Sequence, residues 1–351
     1  MGASDNSEEA PSKSKVVTRS RRPRLVDVAR LAGVSLGSAS RALSAPELVK
    51  PKTREAVRLA AAHLSYVVDG AARSLALRRS LSVGVILPTI NNPIFADFVH
   101  ALQQRLSEDN YSLFVSAHEY SRDAETLIVE RLLQRSVDGL VLLGTDQDRK
   151  AMGQIARAEV PHIFAWSSEE NSRISVGFSN RRAMQQVTQH LIQLGHRRIT
   201  LLSGHTEYNE RARARLDGVL DTTSLAGLDA PTTIFSEFSV EAGRHGLREA
   251  MAKTPRPTAL ICSTDLMAAG ALSEAAIMGI KVPEELSITG FDNIEFSALL
   301  TPQLTTVDVP TVEIGTAAGD AILAAMAGKS IERAPFPTRL VVRGSTGPAP
   351  K

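Results

Sequence analysis

Between positions 26 and 41 the chain reads Val-Asp-Val-Ala-Arg-Leu-Ala-Gly-Val-Ser-Leu-Gly-Ser-Ala-Ser-Arg. Val28, Leu31 and Ala32 recur at helical spacing, which predicts a short amphipathic helix. Gly33 ends it, because glycine takes the left-handed conformation that a helix end needs. Ser35 is placed to N-cap a second helix by accepting from a free backbone N–H. Ala39 and Leu43, four apart, would pack that helix back on the first. Leu36, Gly37, Ser40 and Arg41 remain on its outer face, a mix suited to touching a partner. Two helices joined through a glycine turn predict a helix-turn-helix, whose second helix enters the DNA major groove. Residues 33–37 also match Gly-x-Ser-x-Gly, but a nucleophile elbow needs a strand before its serine, and a helical pattern precedes this one.

Pro51 opens a third helix, where its missing N–H is harmless. Val57, Ala60, Ala61 and Leu64 line its inner face, so residues 23–67 read as one three-helix module. Residues 1–22 have too few large apolar groups to repay ordering and read as a disordered basic tail. Residues 68–80 read as a hinge or linker, with Asp69 a fair N-cap.

From Leu81 the pattern changes to short apolar runs alternating with amphipathic segments. Strands are expected at 83–87, 111–116, 139–143, 161–165, 199–203, 259–262 and 287–291. Helices are expected at 93–109, 123–135 and 180–194. Continuous apolar strands separated by helices predict an α/β core of parallel sheets covered on both faces. Its length, 81–347, suggests two lobes: about 81–178 with 307–330, and about 179–306 with 331–347.

Charge sharpens this division. Lys13 to Arg79 hold fifteen Lys/Arg against four Asp/Glu, a net of +11, whereas Leu81 onward holds twenty-five against thirty-one, a net of −6. A basic head on an acidic body is the footprint of a module that pairs with phosphates. The single cysteine, Cys262, excludes an intrachain disulfide and fits a reducing cytoplasm. The polar N-terminus is unlike a secretory signal, and no apolar run has membrane-spanning length. A transport binding protein is therefore disfavoured.

Ligands of parallel α/β sheets bind beyond the carboxyl ends of the strands. Polar residues cluster there: Asn91 and Asn92, Thr264 and Asp265, Asp292 and Asn293, and Arg211, Arg213 and Arg215. Such carboxylates and guanidiniums suit a polyhydroxylated or anionic small molecule, and Trp166 and Phe178 could stack on a sugar face. Each also has a plainer use as a helix cap or as core. Enzyme signatures are missing: no Gly-x-Gly-x-x-Gly follows a strand, and no Cys/His cluster offers a metal site. Gly328-Lys329-Ser330 resembles the end of a P-loop, but Leu323 occupies the upstream glycine position. Neither catalysis, a cofactor nor a metal is expected.

The order of motifs resembles the LacI/GalR-type bacterial transcriptional regulators. The resemblance rests on Leu25 to Ser35, Ser40-Arg41, Thr53-Arg54-Glu55, Ala72-Arg73-Ser74-Leu75, Val83-Gly84-Val85-Ile86, Asn92-Pro93-Ile94-Phe95, Leu194-Gly195-His196-Arg197-Arg198-Ile199, Gly290-Phe291-Asp292 and Leu304-Thr305-Thr306-Val307. It implies a helix-turn-helix head, a hinge helix and a periplasmic-binding-protein-like core. It implies a homodimer on a near-palindromic operator, with repression as the expected mode and a sugar, sugar acid or similar effector between the lobes. On it, Leu36, Gly37, Ser40 and Arg41 fall at base-reading positions. Arg73 and Leu75 fall in the hinge, where the leucine wedges into the minor groove. Trp166, Phe178, Arg215, Thr264, Asp265 and Asp292 fall at the effector cleft. The chain departs from the family pattern in several places. Arg24 and Lys50 replace helix-capping residues, at a cost of about 1 kcal/mol each. Thr264 replaces a common Asn, Trp166 a common acid, and Gly70 loosens the hinge. No heptad tail follows Thr346, which points to a dimer and not a tetramer.

Overall fold

The computed structural model describes residues 23–44, 46–67, 79–168, 175–329 and 334–351. The tail expected over 1–22 and the hinge residues Gly70, Arg73 and Leu75 lie outside them. The chain divides into two compact units, Met1–Ser80 and Leu81–Lys351.

In the first unit, α1 (Leu25–Ala32), α2 (Leu36–Ser44) and α3 (Pro51–His63) pack around Val28, Ala39 and Val57, all fully buried. The Arg24 N–H donates to Asp27 Oδ2 at 2.9 Å, so α1 is capped from within its own first turn. A guanidinium has no acceptor with which to return that bond. Lys50 likewise makes no side-chain cap, and Pro51 begins α3. Gly33 adopts φ +66°, and the Val34 N–H turns back to the Ala29 carbonyl at 3.0 Å. Ser35 Oγ accepts from the Ser38 N–H at 3.1 Å, as expected of the cap. The inner face of α1 differs in one residue. Ala29 completes it with Leu25, Val28 and Ala32, whereas Leu31 is 51% exposed. At about 100° per residue, Leu31 falls roughly 110° from the centre of that face.

The second unit has two lobes. The first is a parallel sheet of order β2-β1-β3-β4-β5, formed by β1 (Ser82–Leu87), β2 (Ser112–Ala117), β3 (Gly139–Leu143), β4 (His162–Ala165) and β5 (Ser175–Val176). Val85 sits opposite both Val115 and Val141. Val83, Val85 and Leu87 face a core with α4 (Ile94–Glu108) and α11 (Thr311–Met326). Ile86, Leu140 and Leu142 face the other way, onto α5 (Arg122–Gln134) and α6 (Arg149–Ala158). Both faces are covered, which is why these strands are apolar throughout.

The second lobe is a parallel sheet of order β7-β6-β8-β9, formed by β6 (Ile199–Gly204), β7 (Thr232–Ser236), β8 (Ala259–Cys262) and β9 (Ser287–Thr289). Its helices are α7 (Asn180–Gln193), α8 (Glu210–Leu225), α9 (Val240–Ala252) and α10 (Asp265–Ile277). A short antiparallel pair, β10 (Thr306–Asp308) with β11 (Arg339–Val341), brings the chain back past both lobes.

Close helix packing runs through glycine. A β-carbon at Gly243 would collide with the Met267 carbonyl, one at Gly270 with the Val240 carbonyl, and one at Gly315 with the Phe98 carbonyl. Gly328, at φ +71°, ends α11, so the glycine of the P-loop-like stretch is a helix terminus. Among the described residues no helix is long and apolar enough to cross a membrane.

Candidate functional site

The head presents α2 outward. Leu36 is 52% exposed, Gly37 and Arg41 are exposed, and Ser40 is half-buried. The Arg41 Nε–H donates to the Gly37 carbonyl at 3.3 Å, which lays the guanidinium along the helix beside a residue without a side chain. Arg24, Lys50, Lys52 and Arg54 are exposed in the same unit. A helix of small residues bordered by free cations can approach base edges while the cations meet phosphates. Ser35 follows a helix and a turn, so residues 33–37 form a helix start and not a nucleophile elbow.

In the core, the carboxyl ends of the two sheets face a cleft. Trp166 follows β4, Asn92 lies between β1 and α4, Asp292 follows β9, and Thr264 follows β8. Arg211 and Arg215 enter from the first turns of α8, and Phe238 and Tyr120 close the sides. A second chamber adjoins it, sharing Tyr120 and Arg211, and reaches His118, Glu125, Asp146 and Tyr208. Trp166, Tyr120, Tyr208 and Asp292 all have positive φ, at +74°, +60°, +58° and +118°. Side chains rarely adopt such backbone, and its clustering along one cleft marks a place where geometry matters more than local comfort.

The lobes also bond across the mouth of this cleft. Tyr120 and Phe238 pack with ring centroids 5.6 Å apart. The Arg122 guanidinium lies 3.8 Å from the centre of the Tyr208 ring. Asp146 accepts from Arg122 at 3.1 Å and from Arg213 at 2.6 Å. Glu210 Oε1 accepts from the Thr145 N–H at 2.9 Å, beside Gly144 at φ +88°, where a side chain would strike the carboxylate.

Electrostatically the cleft is built around buried charge. Arg215 donates from Nε to Asn180 Oδ1 at 2.9 Å and from Nη1 to the Ser263 carbonyl at 2.6 Å, and it stacks 3.7 Å from the Phe291 ring centre. Burial lowers its pKa to about 10, with Asp292 pulling the other way, so it stays charged at neutral pH. Burial raises Asp292 to about 6, opposed by Arg215 and by the Asn92 amide donating at 3.2 Å. Burial and Arg211 push His118 down to about 4, leaving a neutral imidazole. Burial raises Glu125 to about 7.

Of the six core residues singled out from sequence, Trp166, Arg215, Thr264 and Asp292 line the cleft. Phe178 and Asp265 lie one layer behind. Phe178 is fully buried between Trp166 and Phe291. Asp265 accepts from Thr306 Oγ1 at 2.5 Å and from the Ile294 N–H at 3.0 Å, tying the loop after β9 to α10. Burial and Asp292 both push its pKa upward. Thr264 has a second use, accepting from the Met267 N–H as the cap of α10. Trp166 presents little of its ring, which packs against Phe95, Phe98 and Phe178. Sequence reasoning named Arg211 among the strand-end arginines but did not assign it to the effector cleft, and it did not single out Asn209, Tyr120 or Phe238. For Arg211 a signal existed: it lies four residues before Arg215, hence on the same helix face, while Arg213 faces the rim.

A helix-turn-helix head followed by a two-lobed core of parallel sheets defines a class: DNA-binding regulators with a periplasmic-binding-protein-like core. Residues 24–69 match the model for bacterial regulatory proteins of the lacI family, and residues 188–346 match that for a periplasmic binding protein-like domain. The HTH-type transcriptional repressor CytR of Escherichia coli is 30% identical over 329 residues, covering 92% of this chain and 96% of that protein. Catabolite control protein A of Priestia megaterium is 29% identical over 327 residues, covering 92% and 98%. The crystal structure of the lac repressor dimer bound to operator and the anti-inducer ONPF superposes with a TM-score of 0.83 at 28% identity, covering 93% of this chain and all of that one. The chain belongs to the LacI family of bacterial regulatory proteins.

Proposed function

We propose that this protein is a cytoplasmic transcriptional repressor whose DNA affinity is set by a small metabolite held between the two core lobes. The reading has it bind a near-palindromic operator as a homodimer. Leu36, Gly37, Ser40 and Arg41 meet base edges, and Arg73 and Leu75, outside the described residues, act in the hinge. Trp166, Arg215, Thr264 and Asp292 contact the effector, and Phe178 and Asp265 hold that wall in place. The observation that carries the reading is the pair of buried ionised groups, Arg215 on α8 and Asp292 after β9, which the second lobe presents to the cleft between the two sheets. Burying charge there serves no packing purpose and suits recognition of polar ligand groups. An effector acts by binding two core conformations unequally, so that its binding energy biases DNA affinity.

Arg41→Ala separates the two roles. Duplex binding measured by fluorescence anisotropy should weaken about tenfold or more, while the melting shift caused by a cleft ligand stays as in the wild type. Loss of both responses together would contradict the division of labour.

A further inference from the structure

Resting on the reading of the cleft as the effector site, we infer that it takes a small anionic ligand, a carboxylate or phosphate derivative of a sugar or polyol, with Arg211 holding the anion. Arg211 is only 8% exposed, and its Nε is buried without a hydrogen-bond partner. The nearest carboxylate oxygen, Glu210 Oε1, is 3.7 Å away and already accepts from the Thr145 N–H. A buried guanidinium left in that state is costly, and a ligand anion is the partner that removes the cost.

The charge balance points the same way. Arg211 and Arg215 both line the first chamber, and among the described residues Asp292 is the sole carboxylate that does. Asp292 offsets Arg215, while Glu210 stands 3.7 Å from Arg211 and is engaged by the Thr145 N–H, so the Arg211 charge is met only in part. Asp146, in the adjoining chamber, is held by Arg122 and Arg213. Arg211 also sits in the first turn of a sixteen-residue helix, whose positive end adds to the attraction for an anion.

The rest of the cleft describes the ligand body. The rings of Phe238 and Tyr120 offer apolar faces for C–H groups, and Asn92, Asn209 and Asp292 offer hydroxyl partners. Beyond Arg211, His118 Nδ1, Arg122 Nε and Glu125 Oε1 are also buried without partners in the adjoining chamber, so that end of the site receives polar atoms.

The test uses matched triplets of the common hexoses and pentoses: the free sugar, its aldonic or uronic acid, and its phosphate. Each is screened against the full chain by thermal shift, and hits are titrated calorimetrically. An anionic member of a triplet should bind while its neutral member does not, and whether the acid or the phosphate binds identifies the anion. Arg211→Gln should weaken that binding about tenfold or more, and Arg211→Lys should retain an intermediate affinity, which covers the case in which the glutamine variant misfolds. A neutral sugar binding as tightly as its acid, or an Arg211→Gln variant binding the anion like the wild type, would overturn the inference and leave the effector cleft standing. A panel in which no member binds, charged or neutral, would refute the cleft as an effector site as well.

Discussion

Glu125 shows how the cleft makes stability depend on pH. Its Oε2 accepts from the Asp148 N–H at 3.2 Å, its Oε1 has no partner, and burial raises its pKa from 4.5 to about 7. An acid raised in this way is easier to bury protonated than ionised. Its contribution is full below the unfolded value of 4.5 and is lost as pH rises through 7. Glu125→Gln removes that loss. The variant and the wild type should melt together near pH 4, and the variant should gain about 2–3 kcal/mol in alkaline solution. His118 works in the opposite sense: lowered from 6.5 to about 4, it favours the folded state above 6.5 and withdraws that support as pH falls through 4. Both proteins carry His118, so it cancels in the difference. Chemical denaturation at several pH values checks the point, and a gain of equal size at acid and alkaline pH would rule out ionisation as its cause.

At the scale of the element, α1 distinguishes the pattern read along the chain from the face that actually packs. Leu31→Lys should change the stability of the head by less than about 0.5 kcal/mol, because the side chain is half in water, whereas Val28→Ala should cost about 2 kcal/mol. Amide hydrogen exchange over α1 to α3 in the full chain measures both. The contrast illustrates what the sequence revealed and what it concealed. β1, β3, β6 and β8 were legible because both of their faces are covered, which writes them as unbroken apolar runs. The glycine at position 33 and the serine at 35 were legible because each terminus has its own chemistry. β7 buries only Ile234 and, like the helix after it, was not recognised. α10 and α11 escaped because they approach their neighbours through Gly270 and Gly315, and small residues leave little periodic trace of a buried face. In the cleft, residues at strand ends were legible from topology alone. Tyr120 and Phe238 were not, because they meet only when the two lobes are brought together. Asp265 was placed correctly at a strand end, yet its oxygens are committed to Thr306 and Ile294.

The molecule as a whole separates charge by unit. The net of +11 over Lys13 to Arg79 and of −6 from Leu81 onward put the attraction for polyphosphate on the head and leave the core free to sense a small molecule. Duplex affinity should therefore fall linearly on a logarithmic salt axis, with a slope that counts the phosphates neutralised. Arg54→Ala should make that slope shallower by about one unit if Arg54 meets a phosphate. The measurement that bears most directly on the central claim is anisotropy of a labelled duplex selected by the full chain from a randomised library, titrated at rising salt, without and then with the cleft ligand found by calorimetry. Tight, salt-sensitive binding whose affinity shifts when the ligand is added is the expected result. Failure to bind any duplex at low salt, or an affinity indifferent to a ligand that demonstrably occupies the cleft, would contradict it.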